Sequence, residues 1–453
     1  MFPPFPEEKA FDICNQIITS LENGSVKLEQ LGKVSDSRGE HGIMIGAALC
    51  KDADGRLLIL KTVSGISKKL VLASDDESIY VEPIVSAEEI ETALKQNDKE
   101  IHQLTDEINR LKAARKLENG KYSNITEEER KLVERRKFLC NQSLKNVYEL
   151  YSFHTALNTV VSLGEICADL LPPTGTGDCC APKLLDYAFS NRYSVVSMAE
   201  VFYGKDTAYR QNGRNYPPCD ERCGLILPEM LGLNILYRDE EIIVVNKQSG
   251  LLSVPGRGPD KQDCIVNRVK KIFPECIQQP AVHRLDMETS GIMVLAFTKE
   301  AHKNINKQFE EGLVQKKYVA LLDGILPKLK IPDEGQMELY FRLDIDNRPH
   351  QIWDEVNGKK AVTQWKILGV ERYTDPHGKT TNATRVLFIP HTGRTHQLRL
   401  ASADKHGFNV PIIGDTLYGK CTPGQRLMLH AQYIKFTHPT TGQTMEFTCP
   451  AEF

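Results

Sequence analysis

Ala281-Val282-His283-Arg284-Leu285-Asp286-Met287-Glu288-Thr289-Ser290-Gly291 leads directly into Ile292-Met293-Val294-Leu295-Ala296-Phe297. The second stretch is short, apolar and bounded by a Ser-Gly turn signal, the signature of a buried strand. The first is a dense polar knot, and it therefore sits in a loop feeding a core strand, where functional side chains concentrate. It presents one carboxylate, Asp286, between Arg284 and Glu288. A neighbouring cation favours the ionised carboxylate, which a carboxylate nucleophile requires. Taken alone, Arg284 and Asp286 also fit a structural ion pair.

Two further stretches add to this one. Gln315-Lys316-Lys317-Tyr318-Val319-Ala320-Leu321 reads as a strand carrying one tyrosine, and His391-Thr392-Gly393-Arg394-Thr395-His396-Gln397-Leu398-Arg399 as a loop turning into a helix. Tyr237 to Lys247, Gly250 to Gly256, Gly414-Asp415-Thr416-Leu417-Tyr418-Gly419, Leu429-His430-Ala431 and Phe436 to Gly442 complete an ordered set. With these motifs, from about Asn234 to the C-terminus, the chain resembles the RluA family of RNA pseudouridine synthases.

The resemblance implies an α+β pseudouridine synthase fold: a mixed, mostly antiparallel sheet with flanking helices and a central cleft. It implies isomerisation of specific uridines in large-subunit (23S) ribosomal RNA, transfer RNA or both. The glycosidic bond breaks, the base turns, and it rejoins through carbon. No redox change occurs, so no cofactor is expected. A stacked uridine must be flipped out to react.

By the same resemblance Asp286 is the nucleophile or the base that removes a ribose proton, and Arg394 is the cation paired with it. Arg399 is the alternative, holding a phosphate or a structural carboxylate. Tyr318 stacks on the flipped uracil and moves the proton at the base carbon; a strand tyrosine otherwise belongs to a core. Arg284 fills the space the base vacates or holds the backbone, and Leu398 walls the uracil pocket. Lys316 and Lys317 fit phosphate contacts, or simply stay solvated. His283, His391 and His396 favour structural roles.

Composition sets wider bounds. The chain of 453 residues is long enough for two or three domains. Its 41% hydrophobic and 26% charged content is that of an ordinary globular protein. No apolar run is long enough to span a membrane, and the first residues lack a signal-peptide pattern, so a cytoplasmic protein without membrane attachment is expected. Net charge is -3, divided as +4 from Asn234 onward and -7 before it. Any RNA site is thus a local groove in the C-terminal half, not a whole basic face.

The N-terminal half divides by pattern. Residues 1–85 read as a small β-rich module, with Gly42 to Leu49 and Arg56 to Lys61 flanking the Asp52-Ala53-Asp54-Gly55 turn. Residues 86–169 read as a helical hairpin. Ser86 to Glu89 is a capping box, and Ile90, Leu94, Ile101, Leu104, Ile108 and Leu111 keep coiled-coil spacing, with Asn97 at the missing core position. Gly120 ends the first helix, and the hairpin serves either packing or RNA contact. Residues 170–233 read as a linker segment rich in Cys, Pro and Gly, and 234–453 as the catalytic domain. Pro172 to Asp178 lacks the Gly-Lys-Ser/Thr ending of a phosphate-binding loop.

The 12 cysteines show no secreted framework, and cytoplasmic thiols are the default. Cys179, Cys180, Cys219 and Cys223 lie on turn-forming residues and have the right number for tetrahedral zinc. The adjacent pair is an unusual ligand spacing, and free thiols are the competing reading. Two rival functions stand beside the synthase. One is a metal-dependent hydrolase built on His283, Asp286, His391 and His396. The other is a non-catalytic RNA-binding or ribosome-assembly factor using the hairpin.

Overall fold

A computed structural model describes the chain apart from residues 1–4, 32–41, 117–123, 168–170, 220 and 327–330. The expected helix break at Gly120 and the boundary at residues 169 and 170 lie outside the described residues. Two compact units are present, Met1–Gly232 and Leu233–Phe453.

The first unit runs α1 (Glu8–Glu22), β1 (Lys27–Gln30), β2 (Ile43–Lys51), β3 (Leu57–Val63), β4 (Lys68–Val71), β5 (Ile79–Tyr80), α2 (Ala87–Ala114), α3 (Glu127–Tyr148), β6 (Ser152–His154), β7 (Val160–Ser162), α4 (Leu163–Cys167), α5 (Cys180–Ser190), β8 (Ser194–Tyr203) and α6 (Cys223–Leu231). Strand β2 is apolar on both faces because both are covered. Ile45 and Ala47 pack with Ala10, Ile13, Cys14 and Ile17 of α1. On the other face α5 comes so close that a Cβ at Gly46 would lie 2.4 Å from the Cys180 Cβ.

This arrangement corrects the division made from sequence. The sheet has the order β5-β3-β2-β8, and β8 pairs with β2 from Ile43↔Tyr203 to Lys51↔Ser194. Residues 1–85 therefore do not close a module of their own, and 170–233 is not a linker. It supplies an edge strand and a covering helix, because a strand buried on both faces must also satisfy its backbone on both edges.

Helices α2 and α3 form an antiparallel pair. The Ser86 hydroxyl accepts from Glu89 N–H, and the Glu89 carboxylate accepts from Ser86 N–H, closing both ends of a capping box. Asn97 donates to the Ser143 hydroxyl at 3.1 Å, so the polar core position is answered across the seam. Arg115 grips Glu129 through two bonds of 2.6 and 2.9 Å. Ile108 of α2 and Leu139 of α3 are buried.

The second unit runs β9 (Asn234–Arg238), β10 (Ile242–Lys247), α7 (Ile265–Ile272), β11 (Ser290–Ala296), α8 (Lys299–Glu310), β12 (Gln315–Leu322), β13 (Glu334–Leu343), β14 (Gln351–Trp353), β15 (Lys359–Thr374), β16 (Thr380–Pro390), α9 (Gln397–Ala403), β17 (Leu429–Thr437) and β18 (Thr444–Thr448). Its ten strands follow the order β14-β13-β15-β16-β12-β17-β11-β10-β9, with β18 beside β17. The pairing is antiparallel except between β11 and β17, where Ser290 faces His430 and Gly291 faces Ala431. This is the mixed, mostly antiparallel sheet of an α+β fold.

That parallel contact needs a glycine. Gly291 has φ 118°, and a Cβ there would lie 2.4 Å from the Ala431 carbonyl oxygen. Helix α8 buries Ala301 and Ile305 against Val244 and Val294 on one side of the sheet. Phe388, Leu398 and Leu429 belong to a second core around β12. The loop 281–289 is thereby delivered from β11 to the middle of the sheet.

Candidate active site

The loop before β11 is tied down from beneath by the segment after β10. The Ser253 hydroxyl donates to Leu285 O at 2.7 Å and accepts from Leu285 N–H at 3.0 Å. Ser249 donates to Glu288 O, and Gly250 N–H to Met287 O. Lys247 is fully buried and donates to the carbonyls of Gln248, Leu251 and Met287 at 3.0, 2.6 and 2.9 Å. Burial pushes its ammonium down to about 7, with the Asp286 carboxylate opposing. Three carbonyl acceptors use all three N–H bonds of the charged form, which favours the cation at this site.

Across from this loop, residues 391–397 are fixed by Gln397. Its side-chain oxygen accepts from Thr392 Oγ1 and Arg394 N–H, and its Nε2 donates to Val362 O and Thr363 Oγ1. His396 enters α9 with φ 56°. The Tyr418 hydroxyl accepts from Gln351 N–H at 2.8 Å and lies 2.7 Å from His396 Nδ1, which burial keeps neutral.

Between these walls lies a cleft of about 570 Å³, within the usual range of small-ligand sites. Asp286, Tyr318 and Arg394 all line it, with Arg284, Lys316 and Leu398. Among the described residues the Asp286 carboxylate has no hydrogen-bond or ion-pair partner, and neither does the Tyr318 hydroxyl. Burial and the nearby Asp286 charge push the Tyr318 phenol up, so it stays protonated. The register between β12 and β17 shifts beside Tyr318, but the extra residue is Gln432 on β17, so the alternation along β12 runs unbroken through Tyr318.

Two expectations from sequence are corrected here. Arg394 does not pair with Asp286: its Nε donates to Lys360 O at 3.0 Å. The arginine held closer to the carboxylate's field is Arg399, whose charge is stabilised by Asp415, Glu288 and Asp286. Arg399 is 2% exposed and bonds Asp415 at 2.9 and 2.6 Å and Glu288 at 2.8 Å. It holds structural carboxylates, one of them two residues from Asp286. Lys317 does not line the cleft either. Successive strand side chains point to opposite faces, and its Nζ lies 4.4 Å from the Tyr433 ring centroid.

Lys316 stays with Tyr318 on the cleft face, 5.6 Å from the Phe309 ring centroid, and has no carboxylate partner among the described residues. Arg284 is exposed and likewise without an ion-pair partner. Leu398 and Leu429 supply buried apolar wall. The four groups of the hydrolase reading all line the cleft, but among the described residues their ligand atoms do not cluster. His283 Nε2 accepts from Val294 N–H, and His396 Nδ1 faces Tyr418. Among the described residues, the ligand atoms of metal-binding type that cluster are those of Cys179, Cys219 and Cys223.

The family model for RNA pseudouridylate synthases matches residues 241–404, the span carrying these walls. The chain is 41% identical over 222 residues to the dual-specificity RNA pseudouridine synthase RluA of Yersinia pestis, covering 48% of this chain and 99% of that one. This chain belongs to the RluA family of RNA pseudouridine synthases. The RluA of Haemophilus influenzae is 42% identical over 49% of this chain and 94% of its own length; that of Escherichia coli is 40% identical over 50% and 96%. The synthase is an isomerase acting on RNA. Its N-terminal half lies outside these matches.

Sequence reading missed Lys247, Thr289 and Tyr418 in this synthase. Thr289 Oγ1 is buried in the cleft wall with no hydrogen-bond partner. Lys247, ending the apolar strand Ile242–Asn246, carried a signal: a lysine in a fully buried run must find acceptors.

Proposed function

We propose that Asp286 is the catalytic carboxylate of uridine isomerisation, acting on ribosomal and transfer RNA. The observation that carries this is the meeting of an unpartnered carboxylate and an unpartnered phenol, Asp286 and Tyr318, in one cleft. Asp286 either attacks the nucleoside or removes a ribose proton. In both cases the bond from C1′ to N1 breaks, the uracil rotates, and a bond from C1′ to C5 forms. The C5 proton leaves and N1 gains one, so the reaction balances without a second substrate.

Leu398 and Leu429 exclude water from the detached uracil, while Tyr318 covers its face and passes the C5 proton. Arg284, exposed at the mouth, takes the place the base leaves in the RNA stack or grips the backbone. Lys316 and Arg394 contact phosphates, which fix position without reading sequence. Large-subunit ribosomal RNA and transfer RNA are the substrates proposed, since the relatives are named as dual-specificity RNA pseudouridine synthases.

Mapping pseudouridine in total RNA from cells with and without this chain tests the substrate. Loss of modification at discrete uridines in both RNA classes is expected. Identical maps would leave the ribosome-assembly reading, with the α2–α3 hairpin as the contact arm, as the better one.

A further inference from the structure

Three thiols from two separate stretches of the sequence meet in the first unit. The sulfur atoms of Cys179, Cys219 and Cys223 all lie within 4.8 Å of one another. Cys219 and Cys223 are 3.9 Å apart at sulfur. All three are free thiols, and that separation is far beyond the disulfide bond length of about 2.05 Å. It is instead close to the edge of a tetrahedron of thiolates around zinc, about 3.8 Å for a metal–sulfur distance near 2.3 Å.

The backbone prepares these sulfurs for charge. Cys179 is the N-cap of α5, and Cys223 is the first residue of α6. Neither helix start carries a side-chain cap, so two positive helix ends converge on the cluster. Cys180 is not part of the group. Its sulfur turns toward the Met44 carbonyl, 3.4 Å away, because adjacent residues at a helix start point in different directions.

We propose that Cys179, Cys219 and Cys223 bind a zinc ion through three thiolates, leaving the fourth position open to a cavity of about 230 Å³ whose charged lining is Glu200, Glu221, Arg210 and Arg222. Three thiolates on a divalent ion leave one negative charge, in a cavity whose two arginines are matched by two carboxylates. Water completes the tetrahedron. The ion ties α5 and α6 together. This site is independent of the isomerase cleft.

The test is metal content of the full chain, purified with reductant and without a histidine tag. Elemental analysis is expected to give about one zinc per chain, released when the thiols are titrated with a mercurial. Cys219→Ser is expected to hold at least tenfold less zinc, while Cys140→Ser, a thiol on α3, keeps the full amount. Should Cys219→Ser fail to fold, alkylation of the wild-type chain decides. The three cysteines should resist labelling until a chelator strips the metal, while the exposed Cys421 labels throughout. Zinc-free protein, a different metal, or equal labelling of the three thiols before and after stripping would overturn the proposal.

Discussion

The Nζ of Lys247 lies 2.9 Å from the carbonyl oxygen of Met287, the residue after Asp286. One buried ammonium thus joins the end of β10 to the loop that presents the carboxylate. Lys247→Met keeps the volume and leaves three carbonyls without their donor. A loss of about 2–4 kcal/mol is expected in urea unfolding. Turnover should fall more than KM rises, since the carboxylate loses its support and the RNA contacts do not.

The two arginines of the 391–399 stretch are expected to separate cleanly. Arg399→Lys loses the paired bonds to Asp415 and the bond to Glu288, and lysine cannot reproduce that fork. It should cost about 2–4 kcal/mol, because a buried acid is left poorly matched. Arg394→Lys, at an exposed site, should change stability by no more than about 0.5 kcal/mol. Denaturation midpoints of the two variants side by side measure this.

How much of this site could be read before the fold is clear from single residues. The family motifs singled out Asp286 and Tyr318, and the fold brings both to one cleft, Asp286 from the loop before β11 and Tyr318 from within β12. Lys316 and Lys317 were also separable, since the alternation along β12 places Lys316 alone with Tyr318. Arg394 and Arg399 were not, because the left-handed turn at His396 decides which of them faces inward. In the first unit, Val195 to Tyr203 carried a readable strand signal, but its partner β2 lies some 150 residues earlier, and pairing at that distance leaves no local trace. Helix α1 was missed behind a run of prolines.

The His283 ring offers a pH signature. Burial pushes its imidazole down to about 3 from an ordinary value of 6.5, while Nε2 accepts from Val294 N–H. The unfolded chain takes up a proton near 6.5 and the folded one does not until about 3. Stability from this group is therefore full above 6.5 and is lost as pH falls toward 3. His283→Gln lacks that titration. The gap in Tm between wild type and His283→Gln should narrow steadily from pH 7 to pH 4 in thermal scans. A constant gap would mean that the imidazole is already charged in the folded protein.

Asp286→Asn is the variant on which the account turns. It keeps the size of the side chain and removes the charge, without touching Lys316, Arg394 or Arg284. With the full chain and a ribosomal or transfer RNA substrate, pseudouridine formed and RNA bound should be measured on the same preparation. Isomerisation should fall to background while RNA affinity stays within about tenfold, since phosphate contacts supply the affinity. Undiminished pseudouridine formation by Asp286→Asn would contradict the central claim.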